Sequence, residues 1–102
     1  MARFKLAIPR SLKGRVGAVA AAHRLGSTDE AALHFVNRGL DHYQAPAGEL
    51  GVRLAHVVDE QGYSSIDELI EHLLLRALRA YEEPAGSPEQ LAARLRGLGY
   101  ID

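Results

Sequence analysis

Ser27-Thr28-Asp29-Glu30 and Ser65-Ile66-Asp67-Glu68 stand 38 residues apart and carry the same S-x-x-E pattern. In such a capping box the serine oxygen accepts the N–H three residues on, and the glutamate reaches back to the serine N–H. The two acids also sit where a helix dipole favours negative charge. Each tetrad therefore predicts the start of a helix. Behind Ser65 the apolar stripe is Ile66, Leu69, Ile70, Leu73, Leu74, Ala77, Leu78 and Tyr81. Behind Ser27 it is Ala32, Phe35, Val36, Leu40 and Tyr43, at the same helical spacing.

The repeat extends outward from the tetrads. At the 38-residue offset Leu12 matches Leu50, Arg15 matches Arg53, Val19 matches Val57 and His34 matches His72. Arg38 likewise matches Arg76, Leu40 matches Leu78 and Tyr43 matches Tyr81. Each copy reads as two helices with a short turn. The first helix of copy one spans about Leu12 to Leu25, with Leu12, Val16, Val19 and Ala20 as its apolar side. Gly14 and Gly17 weaken it by about 1 kcal/mol each relative to alanine. With Ala18, Ala21 and Ala22 they leave a small-residue face. Copy two offers Leu50, Leu54, Val57 and Val58. A unit this short cannot bury its own apolar face, so the two copies are expected to share a core.

Two segments lie outside the repeat. Before the first helix, Phe4, Leu6 and Ile8 alternate with Arg3, Lys5 and Ala7, and Pro9 stops the run. A period of two predicts a short strand with an apolar face and a cationic face. At the far end Ser87-Pro88-Glu89-Gln90 combines an N-cap, a proline at the first helical position and a further capping box. Leu91, Leu95 and Leu98 then form one edge of a tail helix, followed by Gly99, Tyr100 and Ile101. The expected organisation is residues 1–44 for the strand-bearing copy, 45–83 for the strandless copy and 84–102 for the tail.

The chain has 102 residues, which suits one compact domain and makes oligomerisation a natural expectation. It contains no cysteine, which excludes disulfides, a thiolate nucleophile and a cysteine-ligated metal. No apolar run approaches a bilayer span and no signal peptide is evident, so a cytoplasmic protein without membrane contact is expected. The net charge of -1 hides a polarity. Residues 1–48 hold seven cations against Asp29, Glu30 and Asp41, a net of +4, whereas residues 49–102 carry a net of -5. No acid precedes Asp29, which raises the odds of a polyanion partner for the N-terminal end.

Other chemistries find little support. Glu30 with His34, and Glu68 with His72, are four apart on helices, a spacing typical of surface pairs rather than a metal site. Ser27, Thr28, Ser64 and Ser65 are accounted for by turns and caps. Gly14-Arg15-Val16-Gly17 is too short for a phosphate loop. No catalytic residue, cofactor or metal is expected.

Strand, helix, turn and helix with a basic outer strand face resembles the ribbon-helix-helix family of DNA-binding proteins. The likeness rests on residues 3–9, 12–25 and 27–43, and again on Gly62 to Ile70. It implies a mainly α fold with one N-terminal strand, two helical pairs related by the repeat, and a tail helix. It also implies a homo-oligomer formed through strand 3–8, whose two-stranded ribbon enters the major groove of double-stranded DNA. Arg3, Lys5 and Ala7 would then face base edges. Arg10, Lys13, Ser27 and Thr28 would meet phosphates. Phe4, Leu6, Ile8, Phe35, Val36, Leu40, Leu69, Ile70, Leu73, Leu74 and Leu78 would form the dimer and its core. The resulting expectation is a small transcriptional regulator. The alternative is an assembly module or antitoxin-like protein that grips a protein partner through copy two and a tail surface of Leu91, Leu95, Leu98 and Tyr100.

Overall fold

The computed structural model describes residues 4–102. Five helices follow in order: α1 (Arg10–His23), α2 (Thr28–His42), α3 (Leu50–Gln61), α4 (Ile66–Glu82) and α5 (Pro88–Gly97). Helices α2 and α4, the equivalent second helices of the two copies, pack on each other. Both α1 and α3 lie against that pair, and α5 lies on α4. Phe35, Val36, Leu40, Leu69, Ile70, Leu73, Leu74 and Leu78 are all buried in one continuous core.

Three helix starts follow the capping chemistry, with one difference in detail. Ser27 accepts from the Glu30 N–H at 3.1 Å, and the Glu30 carboxylate accepts from the Ser27 N–H at 3.0 Å, which completes the box. Ser65 and Ser87 each accept the N–H three residues on. Their reciprocal halves are not formed; the Glu68 carboxylate accepts from the Ser64 hydroxyl instead.

The expected N-terminal strand is not there. Among the described residues there is no strand or sheet, and residues 4–9 have no regular secondary structure. A strand is held by its ladder, and copy two supplies no second strand to build one. The Phe4 N–H instead donates to the Glu49 carboxylate at 3.2 Å. The period-two pattern survives as burial: Phe4, Leu6 and Ile8 are half-buried against the chain's own core, while Lys5 and Ala7 are exposed. Phe4 approaches α3 so closely that a Cβ on Gly51 would lie 3.0 Å from the Phe4 Cβ. The ribbon-helix-helix architecture with its β-ribbon is thus replaced by an all-helical body with an irregular N-terminal strap. Arg3, expected to read base edges, lies outside the described residues.

The tail is part of the body. Leu95 and Tyr100 are buried, Leu91 is half-buried, and Leu98 remains 37% exposed. Tyr100 closes an aromatic group with Phe35 and Tyr81, at ring-centroid distances of 6.2 and 6.3 Å. Helix α2 fastens the chain end: His34 Nε2 bonds the Tyr100 carbonyl at 2.7 Å, and Arg38 meets Asp102 at 3.3 Å. Burial pushes the Tyr81 and Tyr100 phenols up in pKa, and the Tyr81 hydroxyl has no hydrogen-bond partner among the described residues.

The packing of α2 on α4 leaves no room for a side chain at Gly39, where a Cβ would stand 2.6 Å from Leu73 Cδ2. Gly39→Val should therefore overpack the core and lower unfolding free energy by about 1–3 kcal/mol. Leu73→Ala should cost about 2–5 kcal/mol, and Tyr100→Ala about 3–5 kcal/mol, as for other fully buried side chains. Urea unfolding of the three variants measures both effects. A Tyr100→Ala loss below about 1 kcal/mol would contradict a tail that belongs to the core.

Candidate functional site

Of the cations read from the sequence, Arg10 and Lys13 stand in the first turn of α1, and Lys5 lies in the strap four residues before Pro9. Lys5 is exposed because it falls on the outward side of the alternation, and Arg10 and Lys13 are exposed on the first turn of α1. None of the three forms an ion pair among the described residues; the pairs that form are Arg15–Glu82, Arg38–Asp102 and Arg53–Asp41. The α1 N-terminus itself is open. Pro9 at the N-cap offers no side-chain oxygen, and the first turn holds no acid. The early N–H groups of α1 therefore lack the side-chain acceptor that the other helix starts have. Farther along the exposed side, Gly14 has open space where a side chain would stand.

The other proposed phosphate contacts, Ser27 and Thr28, sit at a blocked end. The Ser27 hydroxyl oxygen and N–H are both engaged by Glu30, and Asp29 adds a second negative charge in the same turn. The Ser27 backbone N–H, and then its side chain, hold the Glu30 carboxyl below the usual carboxylate range. Thr28 Oγ1 is turned toward Gly17, where a Cβ would lie 3.0 Å away. An incoming phosphate would have to displace a carboxylate from its own hydrogen bonds, which disfavours this end as a phosphate site.

Ala7 also has unsuitable surroundings for DNA. With Ile8 and Pro9 it lines a cleft of about 550 Å³ whose other wall carries Asp67, Glu68 and Glu71. A polyanion can approach the N-terminal strap from the α1 side, not from this acidic one.

The structure also gathers residues that the linear charge count concealed. The half of the chain with a net charge of -5 places Arg76, Arg79 and Arg94 around one cleft between α4 and α5. The signal was present as Arg76 and Arg79 at a three-residue helical spacing; the third arginine arrives only through the docking of α5.

The Glu–His pairs are engaged elsewhere. Glu30 caps α2, His34 bonds the tail, Glu68 takes the Ser64 hydroxyl, and His72 packs beside the Tyr63 ring at 5.6 Å. Among the described residues no group of three His, Asp or Glu side chains could hold a metal ion. Tyr63 shares a 3.0 Å hydroxyl contact with Tyr43, and burial followed by that contact pushes its phenol up to about 12. Among the described residues no helix is long and apolar enough to cross a membrane. The chain matches no family model, no curated protein and no solved structure.

The depressed Glu30 pKa has a definite consequence for stability. Its contribution is complete above the unfolded carboxylate pKa and is lost as pH falls through the lower, folded one. Glu30→Gln should therefore melt below wild type at neutral pH, with the gap closing on acidification below the usual carboxylate range. Melting curves across that range test this, and a gap independent of pH would contradict it.

Proposed function

We propose that this protein is a small DNA-binding regulator that docks the N-terminal end of α1 on the phosphate backbone of a duplex. The observation that carries the reading is that Lys5 in the strap and Arg10 and Lys13 in the first turn of α1 are exposed and form no ion pair among the described residues, before a helix N-terminus without a side-chain cap or an acid. Backbone N–H groups at such an end and flanking ammonium or guanidinium groups are complementary to phosphate. The α1 surface beyond is small, with Gly14, Ala18 and Ala21 exposed, so a sugar–phosphate chain can approach closely. The reading is one of backbone docking, in which the cations fix position on the duplex. Binding rather than catalysis is the proposed activity, and the cytoplasm is the compartment that fits it.

The competing reading, a protein-partner module gripping through the tail, has less support. Leu95 and Tyr100 are spent on the chain's own core, which leaves Leu98 as the exposed apolar residue of that set.

Binding of a random-sequence duplex should weaken steeply between roughly 50 and 200 mM salt, because each neutralised phosphate releases counterion. Lys5→Ala/Arg10→Ala/Lys13→Ala should bind far more weakly and lower the slope of log K against log salt by about 2–3. Fluorescence anisotropy measures both quantities. An unchanged slope in the triple variant, or no duplex binding by wild type at low salt, would overturn the reading.

A further inference from the structure

The cleft between α4 and α5 is the second cationic surface, and its construction differs from that of the first. Its volume is about 410 Å³, within the range of small-molecule sites. Leu75, Ala80 and Leu98 supply apolar lining; Arg76, Arg79, Arg94 and His72 supply donors; Glu83 is the single acid. No carboxylate among the described residues pairs with any of the three arginines. Among the described residues the cleft therefore holds an excess of positive charge that Glu83 offsets only in part.

Two of the guanidinium groups are held in place. Arg94 donates to the carbonyls of Ala80, Glu83 and Pro84 at 3.2, 2.9 and 2.9 Å, which ties α5 to the C-terminal end of α4. These bonds satisfy three of its five N–H groups and leave the remainder for a ligand. Arg76 Nη2 rests within hydrogen-bond distance of His42 Nε2, at 3.2 Å. The Arg79 side chain is exposed and makes no hydrogen bond among the described residues. Pre-positioned guanidinium groups lose little side-chain freedom on binding and match the oxygens of a phosphoryl group.

We propose that this cleft binds a small phosphomonoester. Three guanidinium charges set against Glu83 leave an excess that a phosphate dianion neutralises. The apolar lining receives the body of the molecule, and the Glu83 carboxylate accepts from a hydroxyl or ring N–H on it. The phosphoryl group alone is shared with inorganic phosphate; the apolar lining and Glu83 favour the ester. The cleft lies on α4 and α5, and the proposed DNA contacts lie on the strap and α1, so the two sites fail independently.

Isothermal titration of the full chain with AMP, inorganic phosphate and inorganic sulfate tests the proposal. AMP should bind at least tenfold more tightly than either inorganic ion. Arg79→Ala should weaken AMP by about tenfold, and Arg76→Ala/Arg79→Ala by more. Arg79→Ala removes no internal hydrogen bond among the described residues, so it remains informative even where the double variant fails to fold. Lys5→Ala/Arg10→Ala/Lys13→Ala should bind AMP as wild type does, whether or not it binds DNA. Absence of AMP binding by wild type, AMP affinity unchanged in Arg79→Ala, or equal affinity for AMP and the two inorganic ions would overturn the proposal. So would an Arg79→Ala variant that loses duplex binding while its AMP affinity stays intact, since the cleft would then belong to the DNA face.

Discussion

Burial of α4 is the constraint on which the rest of the molecule depends. Each of the other four helices packs on it, and eight of its residues, from Leu69 to Tyr81, are buried. Isolated helices of this length are marginal in water, so their persistence comes from covering that stripe. Each large apolar side chain withdrawn from water contributes about 1.5–3 kcal/mol, before the entropy of ordering the chain is set against it. The requirement to cover α4 on several sides explains why the chain repeats a helical pair and then adds a tail. Copy one supplies α1 and α2, α3 is the partner from its own copy, and α5 brings Leu95 and Tyr100 to the side still open. Gly39 sets how near α2 can come, because Leu73 occupies the volume that a side chain there would need.

The helical body is legible in the sequence because its causes are local. Serine three residues before glutamate or glutamine marks α2, α4 and α5 within a residue of their starts. Most stripe residues at helical spacing fall inside the core, including Phe35, Leu40, Leu73 and Leu78, while Tyr43 and Ile66 are half-buried at its edge. The N-terminal strap shows where locality ends. Alternation of Phe4, Leu6 and Ile8 with Lys5 and Ala7 correctly separates an inner from an outer side. Alternation fixes which side chains face inward, whereas a strand also requires a neighbour for its backbone. Residues 4–9 find α3 instead, through Phe4 on Gly51 and Glu49, and Ile8 lines a cleft shared with Ser64 and Ser65 at the entry to α4.

Charge along the chain does not carry over to charge on the surface, for a geometric reason. Counting along the chain assigns a basic character to the first half and an acidic one to the second. Folding sorts the same residues by helix face and helix end. The acids of α4 concentrate at its first turns, where Asp67, Glu68 and Glu71 line the cleft beside the strap. Its arginines stand farther along, and α5 crosses to add Arg94 beside them. A segment that is acidic in sum therefore presents a cationic cleft, and a basic segment lies along an acidic one.

The five helix starts sharpen the functional argument. Ser27, Glu49, Ser65 and Ser87 each turn a side-chain oxygen onto an N–H of the helix that follows. A cap of that kind is worth about 1 kcal/mol. Pro9 gives α1 none, and the first acid of the chain comes only at Asp29, beyond the end of α1. Stability alone would favour Ser, Thr, Asp or Asn in place of Pro9 and an acid in the turn after it. Instead the chain places Arg10 and Lys13 in that first turn and Lys5 in the strap before it, and pairs none of them with a carboxylate among the described residues. An uncapped helix dipole and exposed cations beside it are each complementary to an anion, which is what the proposed phosphate contact at the start of α1 requires.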